Sequence, residues 1–243
     1  MRLLAVVQYD GTSYAGWQIQ PDQISVQETI ERSISQIRNT PTKIFGSGRT
    51  DAGVHAFGQT FHFDIEEERD LEKFRYSINA VLPKDIHLLS LNKVNDDFHA
   101  RLSAKKKTYQ YLINNGEYDV FRSPFESRVE GKLDLLEMEK AAKVFEGTHS
   151  FQNFTTKEED EDNFVRTIYV AQVSNFNDRI YISFTGNGFM RYMVRLMVGA
   201  IIQVGKGKMS IQDIQRMLDS KERQPVGYKA ESKGLSLVEV KYN

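Results

Sequence analysis

The 243-residue chain contains no cysteine, which excludes disulfides, thiolate metal sites and cysteine nucleophiles at once. Its five histidines show no helical His-x-x-x-His or Glu-x-x-His arrangement that would set two ligands on one face, so no structural or catalytic metal is expected. Nor is there an excess of basic residues: the formal net charge is −1, so any nucleic-acid site has to be a local patch rather than a property of the whole surface. No apolar run is long enough to cross a bilayer. The opening Met-Arg-Leu-Leu-Ala-Val-Val superficially resembles a signal peptide, but polar Gln8 and Asp10 cut it short and no small-residue cleavage site follows. It reads better as a first strand, and the protein is expected to be cytoplasmic, with no membrane partner.

What is present is the composition of a soluble globular protein, 40% hydrophobic and 27% charged, long enough for one large or two modest domains with ordinary cores. Periodicity predicts a strand over Arg2 to Tyr9. A helix follows a capping box at Ser25-Val-Gln-Glu28, with Val26, Ile30, Ile34 and Ile37 at helical spacing and Pro41 beyond its end. Short strands at Lys43 to Phe45 and Gln59 to Asp64, a helix through Leu71, Phe74 and Ile78 stopped by Pro83, and a strand over Ile86 to Val94 complete the order β-α-β-β-α-β.

The second half repeats that order. It has a strand at Lys107 to Asn114, a helix at Asp134 to Phe145 stopped by Gly147, and strands near Val165 to Val173 and Arg179 to Thr185. A long helix with an apolar stripe through Met190, Met193, Val194, Met197, Ile201 and Val204 comes next. A shorter helix from Ser210 and a strand over Leu235 to Tyr242 close the chain. The expected fold is α+β: two ferredoxin-like (β-α-β-β-α-β) halves, 1–103 and 104–243, with mainly antiparallel sheet. The run Glu158 to Asp162 reads as a solvated, self-repelling acidic loop with no role in RNA binding.

Chemistry concentrates in Gly46-Ser-Gly-Arg-Thr-Asp-Ala-Gly-Val-His55, where three glycines surround an arginine and an aspartate between two β runs. Such a loop lets backbone approach a ligand closely. It lacks the Gly-Lys-Ser/Thr of a P-loop and opens no helix after its glycines as a dinucleotide fingerprint does, so no nucleotide cofactor is expected. An aspartate among glycines most often serves a turn. The functional reading of Asp51 rests on neighbouring Arg49, since a guanidinium beside a carboxylate keeps it ionised and oriented, as a nucleophile must be.

This segment closely resembles the signature of the tRNA pseudouridine synthase A family. The resemblance extends through Tyr9-Asp-Gly-Thr-Ser-Tyr-Ala-Gly-Trp-Gln18, Phe98-His-Ala-Arg-Leu-Ser-Ala104, Lys107-Thr-Tyr-Gln-Tyr111, Met193-Val-Arg-Leu-Met-Val-Gly199 and Gly234-Leu-Ser-Leu237, in family order over essentially the whole chain. It implies that Asp51 is the nucleophile, that Tyr109 stacks on the target uracil, that Arg195 pairs with the catalytic carboxylate and that Leu235 lines the base pocket. It implies isomerisation of uridine to pseudouridine at positions 38, 39 and 40 of the tRNA anticodon stem-loop, in a basic cleft between the two halves of a homodimeric enzyme. It also implies that no cofactor takes part, because the reaction moves a base without gaining or losing an atom. A uridine within a stem has to be unstacked to be reached, and an aromatic plane offsets part of that cost.

Read from the residues alone, several of these positions have plainer employments. Tyr109 alternates with Tyr111 and Ile113 on one strand face, as core residues do, and Leu235 reads as core. Arg191 and Arg195, four apart, suit the edge of an apolar stripe. His55 reads as a structural hydrogen-bonding residue rather than a base. Arg49, Arg101, Lys105, Lys106 and Lys107 are the candidates for RNA backbone binding, with Lys206 and Lys208 as further ones. The lead Val226-Gly-Tyr-Lys-Ala-Glu-Ser-Lys-Gly-Leu235 departs from the short Ala-Pro-Ala-like lead common in the family. Two rival readings are a non-catalytic RNA-binding module, which has no use for a carboxylate aimed at RNA, and a paralogous pseudouridine synthase acting on other uridines.

Overall fold

The computed structural model describes residues 1–156 and 164–243; the acidic run Glu158 to Asp162 lies outside the described residues. The chain forms two compact units, one of residues 1–105 with 236–243, the other of residues 106–235.

The first unit comprises β1 (Arg2–Tyr9), α1 (Val26–Arg38), β2 (Phe45–Gly46), β3 (His55–Asp64), α2 (Leu71–Val81) and β4 (Ile86–Val94). Strand β1 lies between β3 and β4, antiparallel to both, and β2 pairs antiparallel with β3. Alternation along β1 buries Leu3, Ala5, Val7 and Tyr9, the pattern of a strand with one face on a core. Ile30 and Ile34 of α1, Phe74 and Ile78 of α2, and Phe61 and Phe63 of β3 are buried in the same unit. Each such side chain contributes about 1.5–3 kcal/mol relative to exposure. Helix α1 starts where its cap requires: Ser25 accepts a hydrogen bond from the Glu28 amide at 3.2 Å, while the Glu28 carboxylate turns instead to Arg32.

Strand β3 begins four residues earlier than its local pattern suggests, because His55 and Ala56 pair in parallel with Ser236 and Leu237 of the final strand β10 (Leu235–Lys241). That partner is far away in sequence, and β3 is buried on both faces, so no alternation marks its start.

The second unit contains β5 (Lys106–Asn114), β6 (Ser127–Arg128), α3 (Leu135–Lys143), β7 (Gly147–Ser150), a 3₁₀ turn (Gln152–Phe154), β8 (Val165–Phe176), β9 (Arg179–Gly186), α4 (Met193–Gly205) and α5 (Ile211–Asp219). Antiparallel ladders run β5-β9-β8-β7, repeating with β5, β9 and β8 the arrangement of β1, β3 and β2. The two-residue β6 pairs in parallel with β5. The fold is therefore α+β with mainly antiparallel sheet. Phe145, Phe151, Phe154 and Phe184 form an aromatic core in which Phe145 and Phe154 meet edge to face at 5.0 Å.

Helix α4 starts at Met193 rather than Met190 and is buried nearly all round, leaving only Arg195 and Gln203 outside the core, instead of carrying a single stripe. At its end Gly205-Lys-Gly-Lys208 closes the helix. The amides of Lys206, Gly207 and Lys208 donate to the carbonyls of Ile202, Val204 and Gln203, with Gly207 at φ +67°. Helix α5 carries a complete capping box between Ser210 and Asp213.

Candidate active site

The 46–55 loop is built on a buried polar base. Ser47 donates its hydroxyl proton to Gln59 Oε1 at 2.6 Å, the Gln59 amide donates to the Gly48 carbonyl at 3.2 Å, and the Ser47 amide donates to the Thr60 carbonyl at 2.8 Å. The Thr50 and Tyr9 hydroxyls meet at 2.8 Å in the interior, where burial holds the phenol well above its ordinary pKa and therefore neutral. The Val54 amide donates to the Asp51 carbonyl at 3.1 Å, closing a turn in which Gly53, at φ +72°, occupies the left-handed position that favours glycine. Asp51 thus opens a tight turn through its backbone carbonyl, as its setting among glycines suggests, and its side chain is half-buried.

Residues 9–18 hold this loop from below. The Gly11 amide donates to Nδ1 of buried His55 at 3.0 Å, and the Trp17 amide donates to the Thr50 carbonyl at 3.1 Å. A Cβ on Gly11 would stand 2.0 Å from the Val54 carbonyl oxygen; one on Gly16 (φ +101°) would stand 2.6 Å from that of Thr50. These glycines exist so that two backbones can touch. The loop's own Gly46 lies against the Trp17 indole, so there the close approach is made to the protein and not to a ligand. His55 has the structural hydrogen-bonding role read from its position.

Arg49 is exposed and has no ion-pair partner among the described residues, so adjacency in sequence does not make it the counter-ion of Asp51 here. Neighbours two apart in a tight turn need not point the same way. Arg101 and Lys105 are exposed on the segment after β4. That segment is anchored by histidines. His62 Nδ1 accepts the Ala100 amide at 3.2 Å, His99 Nδ1 accepts the Arg101 amide at 3.1 Å, and the two rings lie 4.7 Å apart. Burial, with the His99 charge second, pushes His62 down to about 4. Tyr242 completes the anchor by donating to the Ala100 carbonyl at 3.0 Å and meeting the Thr60 hydroxyl at 2.5 Å. Nothing in the local sequence pattern marks this arrangement, since its members lie on β3, after β4 and at the C-terminus.

In the second unit Tyr109 is buried on β5, on the same face as Tyr111 and Ile113, and meets Phe189 edge to face at 5.1 Å. Lys106 is exposed with its ammonium 5.1 Å from the Tyr169 ring centroid, and Lys107 is partly exposed. Leu235 is buried beside β5, because the Leu112 amide donates to the Gly234 carbonyl at 2.8 Å. The structure thus places Tyr109 and Leu235 on neighbouring segments.

Arg195 projects from the first turn of α4, where a strap of residues 226–234 fastens it. Its Nε donates to the Ala230 carbonyl at 2.8 Å, and the Ala230 amide donates back to the Arg195 carbonyl at 3.0 Å. The strap needs Gly199, where a Cβ would stand 1.9 Å from the Tyr228 carbonyl oxygen, and Gly234, where it would stand 2.7 Å from that of Leu112. The lead that departs from the family pattern is therefore a built element.

Sequence reading missed Tyr192, the residue before α4. It sits at φ +60°, a left-handed conformation that costs a residue with a Cβ about 1–2 kcal/mol. The flanking arginines Arg191 and Arg195 are visible in the sequence; the backbone conformation of Tyr192 is not.

The family model described as tRNA pseudouridine synthase matches residues 5–103 and 141–243. The first match contains the Asp51 loop and the second contains Arg195 and Leu235. A protein of Exiguobacterium sp. named tRNA pseudouridine synthase A is 43% identical over 241 residues, covering 99% of this chain and 98% of its own. A protein of the same name from Brevibacillus brevis is 39% identical over 242 residues, covering 99% of both chains. These full-length matches include the stretch with Tyr109 that the family model leaves out. Among solved structures, a chain in a Cbf5-Nop10-Gar1 complex is similar over 96% of this chain and 57% of its own, at 12% identity and a TM-score of 0.38. That likeness is too slight to bear on function. On the length of the family match, and on relatives of about two-fifths identity from end to end, the chain belongs to the tRNA pseudouridine synthase family.

Proposed function

We propose that this protein is an isomerase that converts uridine to pseudouridine in the anticodon stem-loop of tRNA, at positions 38, 39 and 40. The observation that carries the reading is the signature loop: a half-buried carboxylate at the head of a turn, on a shelf of buried hydrogen bonds, in a chain whose full-length relatives are named tRNA pseudouridine synthase A. A nucleophile or base gains from such fixed placement, because its geometry is established before substrate arrives.

In this reading the N1 to C1′ bond of uridine breaks, the base turns in its pocket, and a C5 to C1′ bond forms. C5 loses a proton and N1 gains one, so atoms balance with no co-reactant. Asp51 is the nucleophile, Arg195 and Arg49 supply positive charge to the reaction, Tyr109 stacks on the uracil and Leu235 lines the base pocket. Arg101, Lys105, Lys106 and Lys107 bind the RNA backbone. The first-unit half carries the catalytic loop and the second carries the base-binding residues. The enzyme works as a homodimer in the cytoplasm; no described helix is long and apolar enough to cross a membrane.

Chemical mapping of pseudouridine in unmodified tRNA transcripts, with the wild type and with Asp51→Ala and no added cofactor, tests the proposal. The wild type is expected to mark the anticodon stem-loop and the variant to mark nothing. If neither marks any tRNA while both bind it, the chain is an RNA-binding module. Marks elsewhere make it a paralogue with another target.

A further inference from the structure

Tyr192 gathers three cations. The Lys229 ammonium lies 4.2 Å from its ring centroid, the Arg191 guanidinium 5.0 Å and the Arg195 guanidinium 5.3 Å. Arg191 also directs a nitrogen at the Tyr192 hydroxyl, at 3.3 Å. The ring is held in place by a left-handed backbone, and its neighbour Arg191 is fixed through its carbonyl, which accepts from the fully buried Thr155 hydroxyl at 3.0 Å. Lys229 comes from the strap, next to the Ala230 that binds Arg195.

The positive side chains of Arg191 and Lys229 on one ring repel each other, and one aromatic quadrupole offsets only part of that repulsion. Arg191 and Lys229 are exposed, and neither has a carboxylate within ion-pair distance among the described residues. The positive end of α4, which begins at the next residue, adds to the same field. Strain held at a residue that organises charge is the kind of outlier that points to a ligand. We propose that Arg191 and Lys229, spaced by Tyr192, seat one phosphate of the substrate RNA backbone and thereby position the strand with respect to Arg195. This rests on the reading of the chain as an enzyme acting on tRNA. Arg195 itself is held through Nε by the strap, so the two roles are separable: Arg191 and Lys229 bind, and Tyr192 is a positioning residue.

The test is equilibrium binding of an unmodified tRNA transcript across a series of KCl concentrations, with pseudouridine formation measured on the same preparations. Both basic residues are exposed, so the Arg191→Gln/Lys229→Gln double variant keeps its fold. Its affinity at low salt is expected to fall about tenfold, and its log K against log salt slope to flatten by about one, the signature of one lost phosphate contact. The charge-retaining Arg191→Lys/Lys229→Arg swap is expected to keep the wild-type slope, which a purely structural role would not require. An unchanged slope and affinity in the double variant overturns the phosphate seat while product formation by the wild type leaves the proposed function standing. A wild type that binds tRNA but forms no pseudouridine overturns the function and leaves the slope to decide the seat. A wild type that binds no tRNA overturns both.

Discussion

The two units support Asp51 and Arg195 by the same device but with different surroundings. In the first, residues 9–18 run beneath the Asp51 loop; in the second, residues 226–234 run across α4 and against β5. Each crossing depends on glycines that let one backbone touch another, Gly11 and Gly16 in one unit and Gly199 and Gly234 in the other. The Asp51 shelf adds a buried polar network through Ser47, Gln59, Thr50, Tyr9 and His55, whereas the Arg195 strap sets exposed Lys229 against Tyr192. The contrast fits the demands on each part. On the proposed roles, a reacting carboxylate at Asp51 gains from rigidity, and a surface that meets a polyanion gains from exposed positive charge.

The largest test of this comparison is to place a methyl group at each crossing. Gly11→Ala and Gly199→Ala each force a Cβ to within 2.0 Å and 1.9 Å of a carbonyl oxygen, so one backbone has to move. Each is expected to cost about 3 kcal/mol or more in denaturant unfolding, with loss of product formation. Gly227→Ala, in the same strap with nothing within 4 Å, is expected to stay within about 0.5 kcal/mol of wild type. Equal behaviour of Gly199→Ala and Gly227→Ala would break the argument that the strap is a fitted element.

A second, intermediate effect separates the units by pH. His62 of the first unit is pushed down to about 4 from 6.5, chiefly by burial and then by His99. A depressed histidine favours the folded state above its unfolded value, and that advantage is lost as pH falls from about 6.5 towards 4, because the unfolded chain takes up the proton first. Urea midpoints are expected to drop across that window in wild type and to drop less in His62→Asn, which retains a side-chain acceptor without the titration. A drop of the same size in the variant would assign the acid sensitivity elsewhere.

The smallest expected effect is at the C-terminus. Tyr242→Phe removes the hydroxyl that donates to the Ala100 carbonyl and meets Thr60, and should cost about 1 kcal/mol in unfolding free energy. A loss confined to tRNA binding, with stability intact, would show that Tyr242 serves Arg101 rather than the sheet.

Much of the fold was legible in order and periodicity. The limits of β1, α2 and β4, the cap at Ser25, the helix start at Ser210 and the burial of Ile30, Ile34, Phe74 and Ile78 follow from local patterns of caps and apolar spacing. The early start of β3, the short β7 and the late start of α4 were not legible. The first depends on a parallel partner at Ser236 and Leu237, the second is a four-residue strand opening on the glycine that also stops a helix, and the third follows a left-handed tyrosine.

The sequence by itself determined which residues cluster as motifs, and through them the family, because long motifs in a fixed order survive without any geometry. Only the tertiary structure decided what the motif glycines are for, that Arg49 is no ion-pair partner of Asp51, and that Lys229 joins Arg191 on Tyr192. Backbone contacts and charge clusters of this kind are made between segments tens or hundreds of residues apart, and no local pattern records which segments meet.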